Sequence, residues 1–278
     1  MKIKRSSYFG ALGRESLYEI SMNTDHSELI LFIHGFMGFM DWGSWHLVSD
    51  YFTQNGFDFC RFNHSHNGCT IDKPSEFLDF GAFQSNTYSK ELADIDSILN
   101  HIAANHKTYD KIHLIGHSRG GAMAILAAHH WKEHGQLGQI CTWAAISDIE
   151  RRFPVGNELI QWQKSGVRYI ENGRTLQELP QLFEIYTDYI ENKTKLDVIK
   201  AAKSLADKLH VFHGSKDLSV PKTEAFELAS VAHSQAHIIE GADHVFGSRH
   251  PWKKKSMPEY LQKLCQHTLY FLKMKKAS

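Results

Sequence analysis

Six residues constrain this chain more than any others. Gly116-His117-Ser118-Arg119-Gly120-Gly121 stands between an apolar run at 112–115 and a run of small apolar residues at 122–128. An apolar run that passes through glycines straight into a helical pattern reads as a strand turning at once into a helix. The tight backbone of such a turn needs neighbours without bulk, which accounts for glycines two before and two after the serine. A serine hydroxyl is a weak nucleophile unless it is exposed, oriented and beside a base. The turn supplies the exposure, and the helix that opens there aims backbone N–H groups at developing negative charge. Ser118 is therefore the candidate nucleophile; the competing reading is a glycine-lined packing turn.

Strand and helix alternate along the rest of the chain. Strand patterns fall at 29–34, 57–63, 111–116, 140–147, 209–213 and 237–240, and helical patterns at 45–55, 88–105, 118–133, 221–232 and 258–274. Residues 2–8 and 17–23 read as an antiparallel pair at the leading edge. This rhythm implies a mostly parallel sheet covered on both faces. From about 149 to 195 it breaks. A hairpin is expected there, with Glu171-Asn172-Gly173-Arg174 as an Asn-Gly turn, followed by a helical piece carrying Phe183, Tyr186 and Tyr189. The expected organisation is a core of 1–148 and 196–278 with 149–195 inserted as a small cap. Such a cap would sit over the sheet's C-terminal edge, where open α/β folds bind ligands. Trp162, Tyr169, Phe183, Tyr186 and Tyr189 are the aromatics it offers to a substrate pocket; packing the cap's own core is the competing role.

A serine nucleophile needs a histidine base, and the histidine needs a carboxylate on its other nitrogen to fix the tautomer. After an elbow of this kind the acid comes next along the chain and the histidine last. The strand at 209–213 leads into Gly214-Ser215-Lys216-Asp217, and the strand ending at 240 leads into Gly241-Ala242-Asp243-His244. Both places are strand-end loops, so the expected triad is Ser118, Asp217 and His244. Asp148 is an alternative acid, Asp243 an expected turn cap, and His250 a histidine with structural surroundings. The strand at 29–33 ends in His34-Gly35-Phe36-Met37-Gly38. At such a strand end the residue after His-Gly donates one backbone N–H to an oxyanion, and the residue after the nucleophile donates the second. Phe36 and Arg119 hold those positions, with His34 as a brace for the loop. The Arg119 side chain is expected to pair with a neighbouring acid rather than read a substrate carboxylate.

Composition narrows the partners. Among 278 residues, 31 basic and 31 acidic side chains sum to zero, which gives no electrostatic reason to expect nucleic acid or an acidic membrane. Zero net charge favours a small neutral substrate over a polyanion. The clusters Lys253-Lys254-Lys255 and Lys275-Lys276 read as solvated surface. No apolar run approaches the roughly 18–20 residues of a membrane span. The basic start MKIKRSS lacks the apolar stretch of a secretory signal. The four cysteines (Cys60, Cys69, Cys141, Cys265) lack CxxC spacing, and Cys60, Cys141 and Cys265 sit in apolar segments that suit buried free thiols in a reducing compartment, so the expected location is the cytoplasm. The 19 histidines invite a metal reading, but His64-x-His66 and His129-His130 lack partners at familiar spacing, and no metal is expected.

Taken together, LILFIHGFMG, IGHSRGG, HGSKDLSVP and GADHVF, in this order, resemble the α/β-hydrolase superfamily. More narrowly, they are similar to bacterial carboxylesterases grouped with feruloyl/cinnamoyl esterases and serine-type dienelactone-hydrolase-like proteins. The resemblance implies an α/β-hydrolase fold with a mostly parallel twisted sheet, helices on both faces and a small inserted cap. It also implies a Ser-His-Asp carboxylesterase that needs no cofactor and forms an acyl-enzyme from a small-molecule ester. Dienelactone hydrolases proper carry a cysteine nucleophile; position 118 is serine, so their substrate does not carry over. Thioester or amide hydrolysis on the same triad, a non-catalytic ligand-binding member and a docking protein are the rivals. A homodimer is compatible with all of these.

Overall fold

The computed structural model describes residues 1–274, so Lys275-Lys276 lies outside the described residues. Its main sheet has eight strands: β1 (Lys2–Phe9), β2 (Glu15–Met22), β3 (Glu28–Ile33), β4 (Asp58–Phe62), β5 (Lys111–His117), β6 (Leu137–Trp143), β9 (Leu209–Gly214) and β10 (Ala236–Ile239). A separate hairpin pairs β7 (Val167–Asn172) with β8 (Gln177–Leu182). The order across the sheet is β1-β2-β4-β3-β5-β6-β9-β10. β1 and β2 run antiparallel to each other, and β2 antiparallel to β4; from β4 to β10 every pairing is parallel. This is an α/β-hydrolase sheet.

Strand β3 shows why such runs must be covered twice. Leu29, Leu31 and Ile33 enter one hydrophobic cluster while Ile30 and Phe32 enter the other, and all five are buried. A run that is apolar at every position satisfies the period of two on both faces. The first face is covered by α3 (Tyr88–Asn105), α4 (Arg119–His130), α7 (Val198–Leu205) and α8 (Lys222–Val231). The second is covered by α1 (Trp45–Gln54) and α9 (Glu259–Lys273). Three further helices, α2 (Phe80–Gln84), α5 (Asn157–Ser165) and α6 (Glu184–Glu191), complete the described set. Thr87 and Asp197 cap α3 and α7 by accepting from Lys90 and Lys200 N–H.

Chain order reverses between β3 and β5: before them the chain winds toward β4, after them toward β10. Crevices at such switch points are where open α/β sheets bind ligands. The Gly35 and Ser118 loops leave from the C-terminal ends of these two adjacent strands, with Ile33 opposite Gly116 in the register.

The hairpin differs from the expected Asn-Gly turn. β7 runs on to Asn172, which pairs with Gln177, so the loop has four residues, 173–176. Asn172 itself causes this. Its Oδ1 accepts from Arg174 N–H at 3.1 Å, and its carbonyl accepts from Thr175 and Leu176 N–H at 3.0 and 2.8 Å. Such Asx bonding closes a longer turn than the two-residue type, with Leu176 taking the left-handed position at φ 56°. Helix α7 was not apparent from the sequence because two of its four buried positions, Ala201 and Ala202, give a weak apolar signal. Cys60, Cys141 and Cys265 are free and buried, as expected, and so is Cys69. Among the described residues no helix is long and apolar enough to cross a membrane.

Candidate active site

Strand β5 ends at His117 and α4 begins at Arg119, which leaves Ser118 alone in the turn with φ 57° and ψ −123°. Few residues with a β-carbon adopt that conformation, and it persists only where surroundings enforce it. Here the Ser118 N–H donates to the Trp143 carbonyl of β6 at 2.8 Å, and the Ser118 carbonyl accepts from Gly121 at 2.9 Å. The glycines set how closely the turn packs. A β-carbon on Gly116 would lie 2.2 Å from the Gly120 carbonyl oxygen; one on Gly120 would lie 2.2 Å from that of Ile33. Gly120→Ala is therefore expected to push α4 off β3 and lower stability by about 1–3 kcal/mol or more. Urea unfolding checks this, with Gly135→Ala, which has nothing within 4 Å, as the near-neutral control.

Parallel neighbours β9 and β10 deliver the acid and the histidine side by side. His244 Nδ1 donates to Asp217 Oδ2 at 2.8 Å. The Asp217 side chain is buried, and its Oδ1 accepts from Ser219 and Val220 N–H at 2.8 and 2.9 Å. His213, fully buried, brings Nε2 to 3.2 Å from Asp217 Oδ2 and 2.9 Å from the Val220 carbonyl. Since both neighbours are acceptors, Nε2 of His213 carries its proton. Burial alone would raise the Asp217 pKa. Hydrogen bonds from His213 and His244, the pull of His244 and the Val220 N–H outweigh it and hold the carboxyl well below its usual range. The Ser118 hydroxyl makes no hydrogen bond to another described residue, His244 included. In free enzymes that link is often loose and tightens only with substrate.

Two more histidines brace the site. His117 Nε2 donates to the His244 carbonyl at 2.9 Å. His34 Nδ1 donates to the Gly35 carbonyl at 2.9 Å, and its Nε2 accepts from His64 N–H at 3.3 Å, as expected of a loop brace. Burial first, then the neighbouring His244, pushes His117 down to about 3; burial first, then His64, does the same to His34. Both therefore stay neutral across ordinary pH. The loop they support is tight: Gly38 N–H donates to Gly35, and a β-carbon on Gly35 would come within 2.9 Å of Ser118 Cβ. The Phe36 and Arg119 backbone N–H groups beside it bond to no described residue. The Arg119 side chain pairs with Glu91 at 3.2 Å and stacks between Phe36 and Tyr88.

The competitors go elsewhere. Asp148 accepts from Glu150 N–H, Asp243 caps its own turn through Val245 and Gly247 N–H, and His250 accepts from Gly43 N–H.

Comparison with known proteins fits this geometry. The family model for serine aminopeptidase, S33, matches residues 24–180, more than half of the chain. The chain belongs to the serine aminopeptidase S33 family of α/β hydrolases. A putative hydrolase from Agrobacterium vitis S4 is similar over 98% of this chain and 99% of its own, with 16% identity and TM-score 0.73. Est1E from Butyrivibrio proteoclasticus, solved with ferulic acid bound, covers 96% and 97%, with 16% identity and TM-score 0.69. Alpha/beta hydrolase domain-containing protein 10 from mouse covers 95% and 96%, with 17% identity and TM-score 0.67. Likeness at these identities establishes the fold alone. No curated protein sequence matches the chain.

In this S33-family hydrolase two cavities meet at Phe36, Ser118, Ser219 and His244. One, of about 400 Å³, has walls of Met37, Trp42 and Trp45 and the hairpin tip at 172–174. The other, of about 570 Å³, takes Arg119, Arg152, Arg168 and Tyr169. Of the five aromatics offered as pocket walls, only Tyr169 stands there. Trp162, Tyr186 and Tyr189 pack around Phe153 instead, at ring separations of 5.0–6.3 Å; Phe183 packs on Trp162 and Tyr186 at 5.2 Å, and all four join the main hydrophobic cluster. The correction has a simple cause: on short amphipathic helices, aromatics at i, i+3 and i+6 share the inward stripe. The cap contributes to the cavity walls chiefly through the hairpin, whose residues 168–171 line the larger cavity and 172–174 the smaller.

Proposed function

We propose that the protein is a serine hydrolase of small carboxylic esters, working through an acyl-enzyme on Ser118. The observation that carries this is the Asp217–His244 hydrogen bond beside a cavity that Ser118 and His244 both line. His244 Nε2 removes the hydroxyl proton while Ser118 Oγ attacks the ester carbonyl carbon. The tetrahedral oxyanion is held by the Phe36 and Arg119 N–H groups, and Asp217 stabilises the imidazolium. On collapse the carbon–oxygen bond to the alcohol breaks, and the alcohol leaves with the proton from His244. Water then attacks the acyl-serine by the same steps and releases the acid. Ferulic acid bound to the structural neighbour Est1E lends support to a carboxylic acid product.

The family's name raises peptide hydrolysis as the second reading. An aminopeptidase must seat a free ammonium group near the nucleophile, and three guanidinium groups line the larger cavity. A fluorophosphonate is expected to phosphonylate the peptide containing Ser118, forming a P–O bond to its Oγ with loss of fluoride and the hydroxyl proton. On a panel of p-nitrophenyl esters, an acyl thioester and alanine p-nitroanilide, the esters are expected to turn over fastest. Label elsewhere, or anilide outpacing every ester, sinks the proposal.

A further inference from the structure

We infer that the larger cavity is an anion-reading subsite, in which Arg168 binds an ionised carboxylate on the non-reacting part of the ester. The inference rests on the esterase reading above and adds the substrate's charge to it.

Arg168 projects from β7 into this cavity. Its Nε and Nη2 donate to the Gln181 side-chain oxygen at 2.9 and 2.7 Å, and its guanidinium lies 4.0 Å over the Trp162 ring. Gln181 is buried, and so is Trp162. The guanidinium is thus fixed in place by a neutral acceptor and an aromatic face. No described carboxylate lies within ion-pair distance of it, and its Nη1 bonds to no described residue. A pre-oriented planar cation with donors to spare is suited to a carboxylate in a way that a lysine is not.

The surrounding charges are graded. Arg119 and Arg152 share the cavity wall, while the carboxylates that neutralise them, Glu91 and Glu224, are buried and outside the lining. Each pair therefore turns its positive end to the cavity. Glu158 and Glu171 also line it, but both are exposed, where water and salt weaken them. His244 completes the titratable lining with Tyr169. Burial, ahead of the opposing pull of Glu158, lowers the Arg168 pKa, in keeping with a half-dry cation. A net charge of zero over the whole chain conceals this local field, so the expectation of a neutral substrate drawn from it is set aside.

The test compares matched esters that differ in one carboxylate. An acyl arm uses mono-p-nitrophenyl glutarate against p-nitrophenyl valerate; an alcohol arm uses 4-carboxyphenyl butyrate against phenyl butyrate. The reading is the ratio of kcat/KM within each protein, which a general loss of folded enzyme does not move. Wild type is expected to favour the anionic ester about tenfold or more in one arm, as a charge-assisted hydrogen bond allows. The arm that responds identifies which half of the ester fills the cavity. Arg168→Gln is expected to bring that ratio close to the value for alkaline hydrolysis of the same pair, mainly through KM, with Arg168→Lys in between. The wild-type preference is also expected to shrink as salt rises. No anionic preference in either arm, or one that survives Arg168→Gln, overturns the inference while leaving the esterase reading intact. Failure to hydrolyse any ester overturns both.

Discussion

Replacing Ser118 by alanine is expected to lower kcat/KM by about 10⁴–10⁶-fold on whichever ester the wild type hydrolyses best. The variant should fold as before, because the bonds that hold this turn, to Trp143 and from Gly121, belong to the backbone. Alanine keeps the same β-carbon at φ 57°, so it neither relieves nor adds strain. What disappears is the one oxygen able to form the acyl-enzyme. A residual rate above that of water is expected, since the Phe36 and Arg119 N–H groups still stabilise an oxyanion formed by direct attack of water. Ester turnover and thermal midpoint, measured on the same preparation, decide it. A Ser118→Ala protein with an unchanged midpoint and more than about one per cent of the wild-type rate would place the nucleophile elsewhere, given the usual size of this loss.

Features tied to a local chain signal were legible in the sequence. The elbow announces itself by glycines around a serine, and Asp217 and His244 by their places just past buried strands. What escaped was tertiary. His213 stands in an apolar strand run and looks like one more buried ring, yet its Nε2 reaches the same carboxylate oxygen as His244. His117 occupies the free position of the serine motif, and only the folded chain shows its bond to the His244 backbone. Some of the histidines that first suggested metal thus brace the site: His34, His117 and His213 through ring hydrogen bonds, and His64 through its backbone N–H to His34. Arg168 was silent for another reason. Its partner, Gln181, is thirteen residues away on β8, and the shifted hairpin register decides that the two stand opposite each other.

Asp217→Asn is expected to cost about 10⁴-fold in kcat/KM, the loss seen when a triad acid becomes its amide, and in this protein it should also cost stability. All four neighbours of the carboxylate are donors: Ser219 and Val220 N–H on Oδ1, His244 Nδ1 and His213 Nε2 on Oδ2. An asparagine replaces one acceptor by a donor. With its oxygen toward the backbone amides, its NH₂ faces both histidines. His244 can accept from it only by moving its own proton to Nε2, which removes the lone pair that should take the Ser118 proton. His213 cannot adapt in the same way, because its Nε2 proton also serves the Val220 carbonyl at 2.9 Å. Two donors are then left opposed in a dry site, a defect of about 1–3 kcal/mol. His213→Leu removes one of the opposed donors. Urea unfolding of Asp217→Asn, His213→Leu and the double variant should therefore show a double loss smaller than the sum of the single losses. Activity should stay at the Asp217→Asn level, because the His244 tautomer remains wrong. Additive stability losses would mean that His213 does not share the Asp217 carboxylate, and the donor count that motivates the experiment would fail with it.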